Sequence, residues 1–375
     1  MNRWLTASSL ALALLCVGTL PVSAHDYEDI MTGMRLTAEQ AEALEKRLDA
    51  DAHDMQARSQ LVVYHHTKSY FDHVSREAHT RHVLWLIENA PGADILADPL
   101  ATIDPFNNAE GYLEGKRAWM NRLEESPMNV TFHGNAASFF SYFQDRELVV
   151  ETLQTVQSLD PDNSKWPRRL GDLYLRDASF GDFAEGLELP DGVDVEGLDL
   201  PNGLAGLLNP KPLEAAASAV MALEQFQRAY ELADSDIERT SLLEELAMAA
   251  FRAEHYDDAR AHATSVLQSK PRRFSDGSRA HKANIILGRL ALIEDDVALA
   301  SYHLLEAGKV EGSAPLGSFG PNMRLAAELL ELGEKDVVLE YFELCSKFWP
   351  SEKLADWAAL VKAGRMPDFG GNLVY

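Results

Sequence analysis

One spacing recurs four times along this chain and restricts its fold more than any other feature. In NAASFFSYFQDRELVVETLQTVQSLDPDN a small pair, Ala136-Ala137, is followed after 12 residues by Val149, after 7 more by Val156 and after 5 more by Pro161. The same phase returns at Leu246-Ala247, Ala259, Val266 and Pro271. It returns again at Leu287-Gly288, Ala300, Ala307 and Gly312, and at Leu325-Ala326, Val338, Cys345 and Pro350. Two antiparallel helices of about a dozen residues need a small residue where they cross closely, with larger apolar residues beside it. Leu153, Leu304 and Phe342 fill that larger position. Proline, which closes three of the four windows, ends the second helix because it lacks an amide hydrogen and clashes with the preceding turn. The expected fold class is therefore all-α, built from stacked helical hairpins.

The seam between two such hairpins is visible in SLDPDNSKWPRRLGDLY, residues 158–174, where Asp-Pro-Asp-Asn ends one helix and Trp-Pro opens the next. These residues resemble the tetratricopeptide repeat, a helix–turn–helix unit of about 34 residues. The resemblance is strongest at 130–163, 240–271, 281–312 and 319–350, and at 164–174 for a first helix alone. It implies a right-handed α-solenoid whose first helices line a concave face that takes a peptide or protein. Val149 and Val338 stand where the family has alanine, and spacers separate some repeats, so irregular curvature is expected.

Around that array the chain divides readily. Residues 1–24 read as a signal peptide, with Arg3 before the apolar run Leu10 to Leu20 and Val22-Ser23-Ala24 as a small-residue cleavage site. Residues 25–53 read as an N-terminal capping helix that opens on the capping box Thr37 to Gln40. Residues 54–129 read as degenerate helical repeats, interrupted by an irregular stretch at 91–108. Tetratricopeptide-like repeats follow at 130–178 and 213–350, and 351–375 forms a C-terminal cap and tail. Between the two arrays, 179–212 is an acidic, Gly- and Pro-rich insertion without helical period, expected to fold over one rim of the solenoid.

Cleavage after Ala24 removes 24 of 375 residues and leaves 351, bound for the periplasm or secretion. It also removes Arg3 and Cys16, shifts the formal charge from −25 to −26 and leaves Cys345 as the lone cysteine. An internal disulfide is then impossible. Such an acid excess repels phosphate backbones and anionic lipid, so neither nucleic acid nor a membrane surface is expected as a partner, and no later segment is apolar enough to insert.

Chemistry is sparse. HExxH, GxSxG, GxxxxGK[ST] and GxGxxG are all missing, no catalytic residue is assigned and no cofactor is expected. Histidine is the uneven count: six of twelve, His53, His65, His66, His73, His79 and His82, fall within 30 residues. His65, His66, His79 and His82 are candidate zinc or copper ligands, although no cysteine or regular carboxylate spacing accompanies them. The reading is a noncatalytic binding or scaffolding protein. The competing one is an exported enzyme or metal-binding protein using the His53–His82 region or carboxylates under the 179–212 loop.

The resemblance also implies a groove. Lys165, Arg168, Arg176, Arg252, Lys282 and Arg289 fall at inward positions of first helices, predicting a locally cationic surface for acidic peptides. Asn135, Lys165 and Arg169 keep the 30 and 4 spacing of the family's carboxylate clamp, which holds a peptide's C-terminal carboxylate. The preceding repeat offers Leu100 and Asp104 where that clamp has a lysine and an asparagine.

Overall fold

The computed structural model describes residues 24–105, 107–141, 145–185, 212–269 and 276–373. Among them there are 17 α-helices, three short 3-10 turns and no strand. The chain separates into two compact units, the first ending at Phe143 and the second beginning at Gln144. That boundary falls inside the segment 130–163, so the two helices read as one repeat belong to different units.

The first unit holds α1 (Ala24–Arg35), α2 (Ala38–Ala50), α3 (Met55–Ser69), α4 (His73–Asn89), α5 (Ala109–Glu125) and α6 (Val130–Ser141). The expected N-terminal helix is thus two helices. The break lies at Leu36-Thr37, where Thr37 Oγ1 accepts from the Gln40 amide and the Gln40 side chain accepts in return from the Thr37 amide. This reciprocal cap restarts the helix. α3 and α4 form the central hairpin, with α1 and α2 packed on α3 and α5 packed on α4. Asp54 and Asp72 cap α3 and α4 by accepting from amides of their first turns. The core is Leu61, Val62, Val63, Val83, Leu86, Ile87 and Trp119, each fully buried. The irregular stretch after α4 makes two 3-10 turns, Asp94–Ala97 and Pro99–Ala101, and packs on α6.

The second unit runs α7 (Arg146–Leu159), α8 (Lys165–Glu185), α9 (Pro212–Leu232), α10 (Asp236–Arg252), α11 (Tyr256–Gln268), α12 (Asp276–Ile293), α13 (Val297–Gly308), α14 (Ala314–Phe319), α15 (Arg324–Glu331), α16 (Lys335–Cys345) and α17 (Glu352–Lys362). Most helices pack mainly on their sequence neighbours, as in a stack of helical repeats, while α16 packs most on α13. The spaced positions are its core: Val149, Val156, Leu246, Ala247, Ala259, Ala300, Ala307, Leu325, Ala326, Val338 and Cys345 are all buried. Gly171 and Gly288 mark close crossings. A methyl group at Gly171 would stand 2.8 Å from the Phe226 ring, and one at Gly288 would stand 2.2 Å from Leu325 Cδ2.

The turns repeat as faithfully as the cores. Glu254, Asp295, Gly333 and Gly364 sit at φ of 60°, 60°, 91° and 72°. In each case the next residue's amide reaches back five positions, from His255 to Ala250, Asp296 to Ala291, Glu334 to Leu329 and Arg365 to Leu360, at 2.8–2.9 Å. This left-handed closure satisfies the carbonyls stranded at a helix end. Its fourth copy follows α17, so the expected C-terminal cap ends as a first helix does. In place of a second helix, residues 366–373 fold back: Phe369 packs on Trp357, and Asn372 bonds to the Phe319 and Pro321 carbonyls.

Two boundaries differ from expectation. α8 continues to Glu185, seven residues into the expected insertion, because a lone glycine such as Gly181 costs a helix only about 1 kcal/mol. The last hairpin's first helix is shortened to Arg324–Glu331, after Gly320 at φ 87° and Pro321. The remainder of the insertion, the rim-folding expectation and the signal peptide before Ala24 lie outside the described residues.

Candidate functional site

The expected groove cations of the second unit lie on α8, α10 and α12, and three of them, Arg168, Lys282 and Arg289, pair with acids on another helix of the α8, α10, α12 and α15 stripe. Arg168 donates to Ser241 Oγ at 3.2 Å and to Glu245 Oε1 at 2.9 Å. Lys282 reaches Glu244 Oε1 at 2.7 Å, with Arg279 3.7 Å from the same carboxylate. Arg289 grips both oxygens of Glu328, at 2.8 and 3.1 Å, while its guanidinium lies 4.7 Å from the Phe251 ring centre. Arg252 donates to the Ala178 carbonyl, and Lys165 and Arg169 lie over Trp166. Arg176 faces Asp172 and Asp177. The expected cationic groove is therefore a ladder of mixed charge. Lys165, Arg168, Arg169, Arg176, Arg252, Arg279, Lys282 and Arg289 thus share the stripe with Asp172, Asp177, Glu244, Glu245 and Glu328. Crowding perturbs the acids: burial, then the neighbouring Glu244 charge, pushes Glu245 up to about 7.

Asn135 does not join this stripe. It is buried in α6, in the first unit, where its amide nitrogen donates to the carbonyls of Pro91 at 3.0 Å and Ala93 at 3.2 Å. Both amide hydrogens hold the irregular stretch in place, and none remains for a ligand carboxylate. The clamp spacing in the sequence thus serves a structural contact at its first position.

The histidines converge. α3 presents His65 and His66, and α4 presents His79 and His82. His65 stacks on His82 with ring centres 5.8 Å apart, and His66 lies 5.3 Å from His79. Burial pushes His65 and His66 down to about 4 and His79 to about 3, so all three are neutral at pH 7. His79 Nε2–H donates to the Leu100 carbonyl at 2.8 Å. His66 and His79 border a cavity of about 20 Å³, room for roughly one water and too small for an organic ligand.

The other pair meets Glu45 of α2. His82 Nε2 is 3.0 Å from Glu45 Oε1, and His65 Nε2 is 3.5 Å from the same atom. Among the described residues, Glu45, His65 and His82 are the one group of three such donors close enough to share a metal ion. Arg58 Nη1 lies 3.2 Å from His82 Nδ1. A guanidinium only donates, so Nδ1 accepts and the proton of neutral His82 sits on Nε2, pointing at Glu45. That hydrogen bond, more than any other contact, holds the Glu45 carboxyl down to about 2.

His53, the start of the same region, packs edge-on against Trp85 with ring centres 5.3 Å apart, and Arg58 stacks on Trp85 at 3.5 Å. Cys345 is buried and its thiol is pushed up by that burial, as befits a core side chain. No helix among the described residues is long and apolar enough to cross a membrane.

Sequence reasoning passed over Glu45 because α2 looks like a solvated cap, and passed over the acids of the ladder because acids are common everywhere. A signal existed for the ladder. Glu244 and Lys282 are 38 residues apart and Arg289 and Glu328 are 39 apart, close to one repeat. Comparison with protein-family models and with curated proteins finds no match to this chain.

Proposed function

We propose that the protein is an exported, noncatalytic binding or scaffolding protein of the tetratricopeptide-like class. In this reading the second unit is a right-handed α-solenoid whose first-helix stripe takes an acidic segment of a partner protein. The observation that carries it is the cluster of basic side chains that α8, α10 and α12 bring to one stripe of a chain whose formal charge is −25. Basic side chains gathered on an otherwise acidic molecule draw an acidic ligand to that stripe. The paired Arg168–Glu245, Lys282–Glu244 and Arg289–Glu328 contacts set the helix spacing, and the clustered guanidinium and ammonium groups do the attracting. A terminal-carboxylate clamp is not part of this proposal, since Asn135 is committed to Pro91 and Ala93.

A labelled glutamate-rich peptide tests this by fluorescence anisotropy, with a lysine-rich peptide as control. The glutamate peptide binds, binding weakens with salt, and the pair Arg176→Glu and Arg252→Glu together lower affinity at least tenfold, about 1.4 kcal/mol. Amidating the peptide's C-terminus leaves affinity unchanged. Equal binding of both peptides, or indifference to salt and to the charge reversals, defeats the proposal.

A further inference from the structure

His65 is the anomaly of the first unit. Only 9 % of it is exposed, yet neither ring nitrogen has a hydrogen-bond partner. A buried polar group left that way costs about 1–3 kcal/mol, so something must offset it. The contrast with His281 is instructive. That histidine is buried completely, but its Nδ1–H donates to the Ala307 carbonyl at 2.9 Å and its Nε2 accepts from the Asn322 amide at 3.0 Å. His281 is a satisfied core histidine, whereas His65 keeps a lone pair next to a carboxylate and a second imidazole.

We propose that Glu45, His65 and His82 form a binding site for a borderline divalent cation of the zinc class. Ligand bonds of about 2.0–2.1 Å in a tetrahedral shell set neighbouring donors about 3.3 Å apart. Glu45 Oε1 lies 3.0 Å from His82 Nε2 and 3.5 Å from His65 Nε2, which brackets that edge. Two imidazoles and a carboxylate are the donors such an ion takes, and a water completes the shell. Both imidazoles are held neutral by burial, as a ligand must be. The ion replaces the proton on His82 Nε2 and the ring carries its proton on Nδ1 instead, so His82 stays a neutral ligand and Arg58 Nη1 gives up its bond to Nδ1.

Two guanidinium groups oppose the ion, and each leaves its own signature. Arg81 Nη2 lies 2.9 Å from Glu45 Oε1, but its side chain is 60 % exposed and swings into solvent at little cost. Arg58 is buried, held by the Ala52 carbonyl at 2.7 Å and by Trp85, so it stays. Its charge repels the ion, and its donation to Nδ1 favours the tautomer whose proton must leave. The site therefore binds with modest, micromolar affinity and is restrained by Arg58.

The test is zinc uptake by the metal-free full chain, followed by calorimetry and by the rise in melting temperature that a bound ion produces. The expected result is one zinc per chain at micromolar concentration. His65→Ala, His82→Ala and Glu45→Gln each weaken it by at least about 10-fold. His66→Ala and His79→Ala leave it unchanged. Arg58→Gln removes the charge and offers Nδ1–H an acceptor, so it tightens binding several-fold. This gain survives as a test even if an alanine variant fails to fold. Uptake below one equivalent overturns the proposal, as does uptake that persists in both His65→Ala and Glu45→Gln, that is lost with His66→Ala, or that does not tighten with Arg58→Gln.

Discussion

Gly288 marks a close approach between two hairpins of the second unit, and replacing it by alanine tests the packing directly. The new methyl group would lie 2.2 Å from Leu325 Cδ2 and 3.3 Å from both the Ala300 carbonyl oxygen and His303 Cβ. Carbon atoms rest at about 3.5–4.0 Å, so Leu325 must retreat by more than 1 Å. It has nowhere to go, since Leu325, Ala326 and Leu329 are all fully buried. Overpacking of this kind costs about 1–3 kcal/mol, and alanine's better helix propensity returns about 1 kcal/mol. Gly288→Ala should therefore destabilise the second unit by up to about 2 kcal/mol. Leu325→Ala alone, a fully buried truncation, should cost about 2–5 kcal/mol. Together the two changes should cost less than their sum by about 1–3 kcal/mol, because the added methyl group enters space that Leu325 has left. Urea unfolding, read with native-state hydrogen exchange of α12, α13 and α15, measures all three variants in the unit concerned. Additivity to within about 0.5 kcal/mol would falsify this account of the crossing.

The turns, the ladder and Asn135 yield three further tests. Glu254→Gly and Asp295→Gly should each stabilise the protein by about 0.5–1 kcal/mol by relieving a left-handed backbone, while Gly333→Ala should cost about 1 kcal/mol; loss of stability in either glycine variant counts against the shared turn. Glu245 keeps its proton more readily folded, at about 7, than at its reference of 4.5, so the folded state binds more protons and wild-type stability falls as pH rises through that window. Glu245→Gln escapes this loss, so its urea midpoint relative to wild type should climb from pH 5 to pH 8, and a constant difference rules the cause out. Asn135→Ala strands the Pro91 and Ala93 carbonyls and should cost about 1 kcal/mol in thermal unfolding, without altering binding of an acidic peptide to the second unit. A loss of peptide affinity in that variant would return Asn135 to the binding surface.

What the amino-acid order decided alone is the local plan: where helices cross, end and restart. Ala259 and Ala300 are small because two helices cross there, and Thr37 with Gln40 restarts a helix through contacts three residues apart. Interactions of that range are written in the spacing itself. What only the tertiary structure decided is which distant side chains meet. Asn135 has the clamp spacing, yet its amide is spent on carbonyls more than 40 residues earlier. Arg168, Lys282 and Arg289 look like free cations in the chain and become half of an ion-pair ladder once neighbouring helices stack. Glu45 reads as solvated surface until α2 lies against the α3–α4 hairpin and delivers it to His65 and His82. Side-chain partnership depends on how whole helices pack, and a helical period repeated along a chain says which face is buried without saying what will stand opposite it.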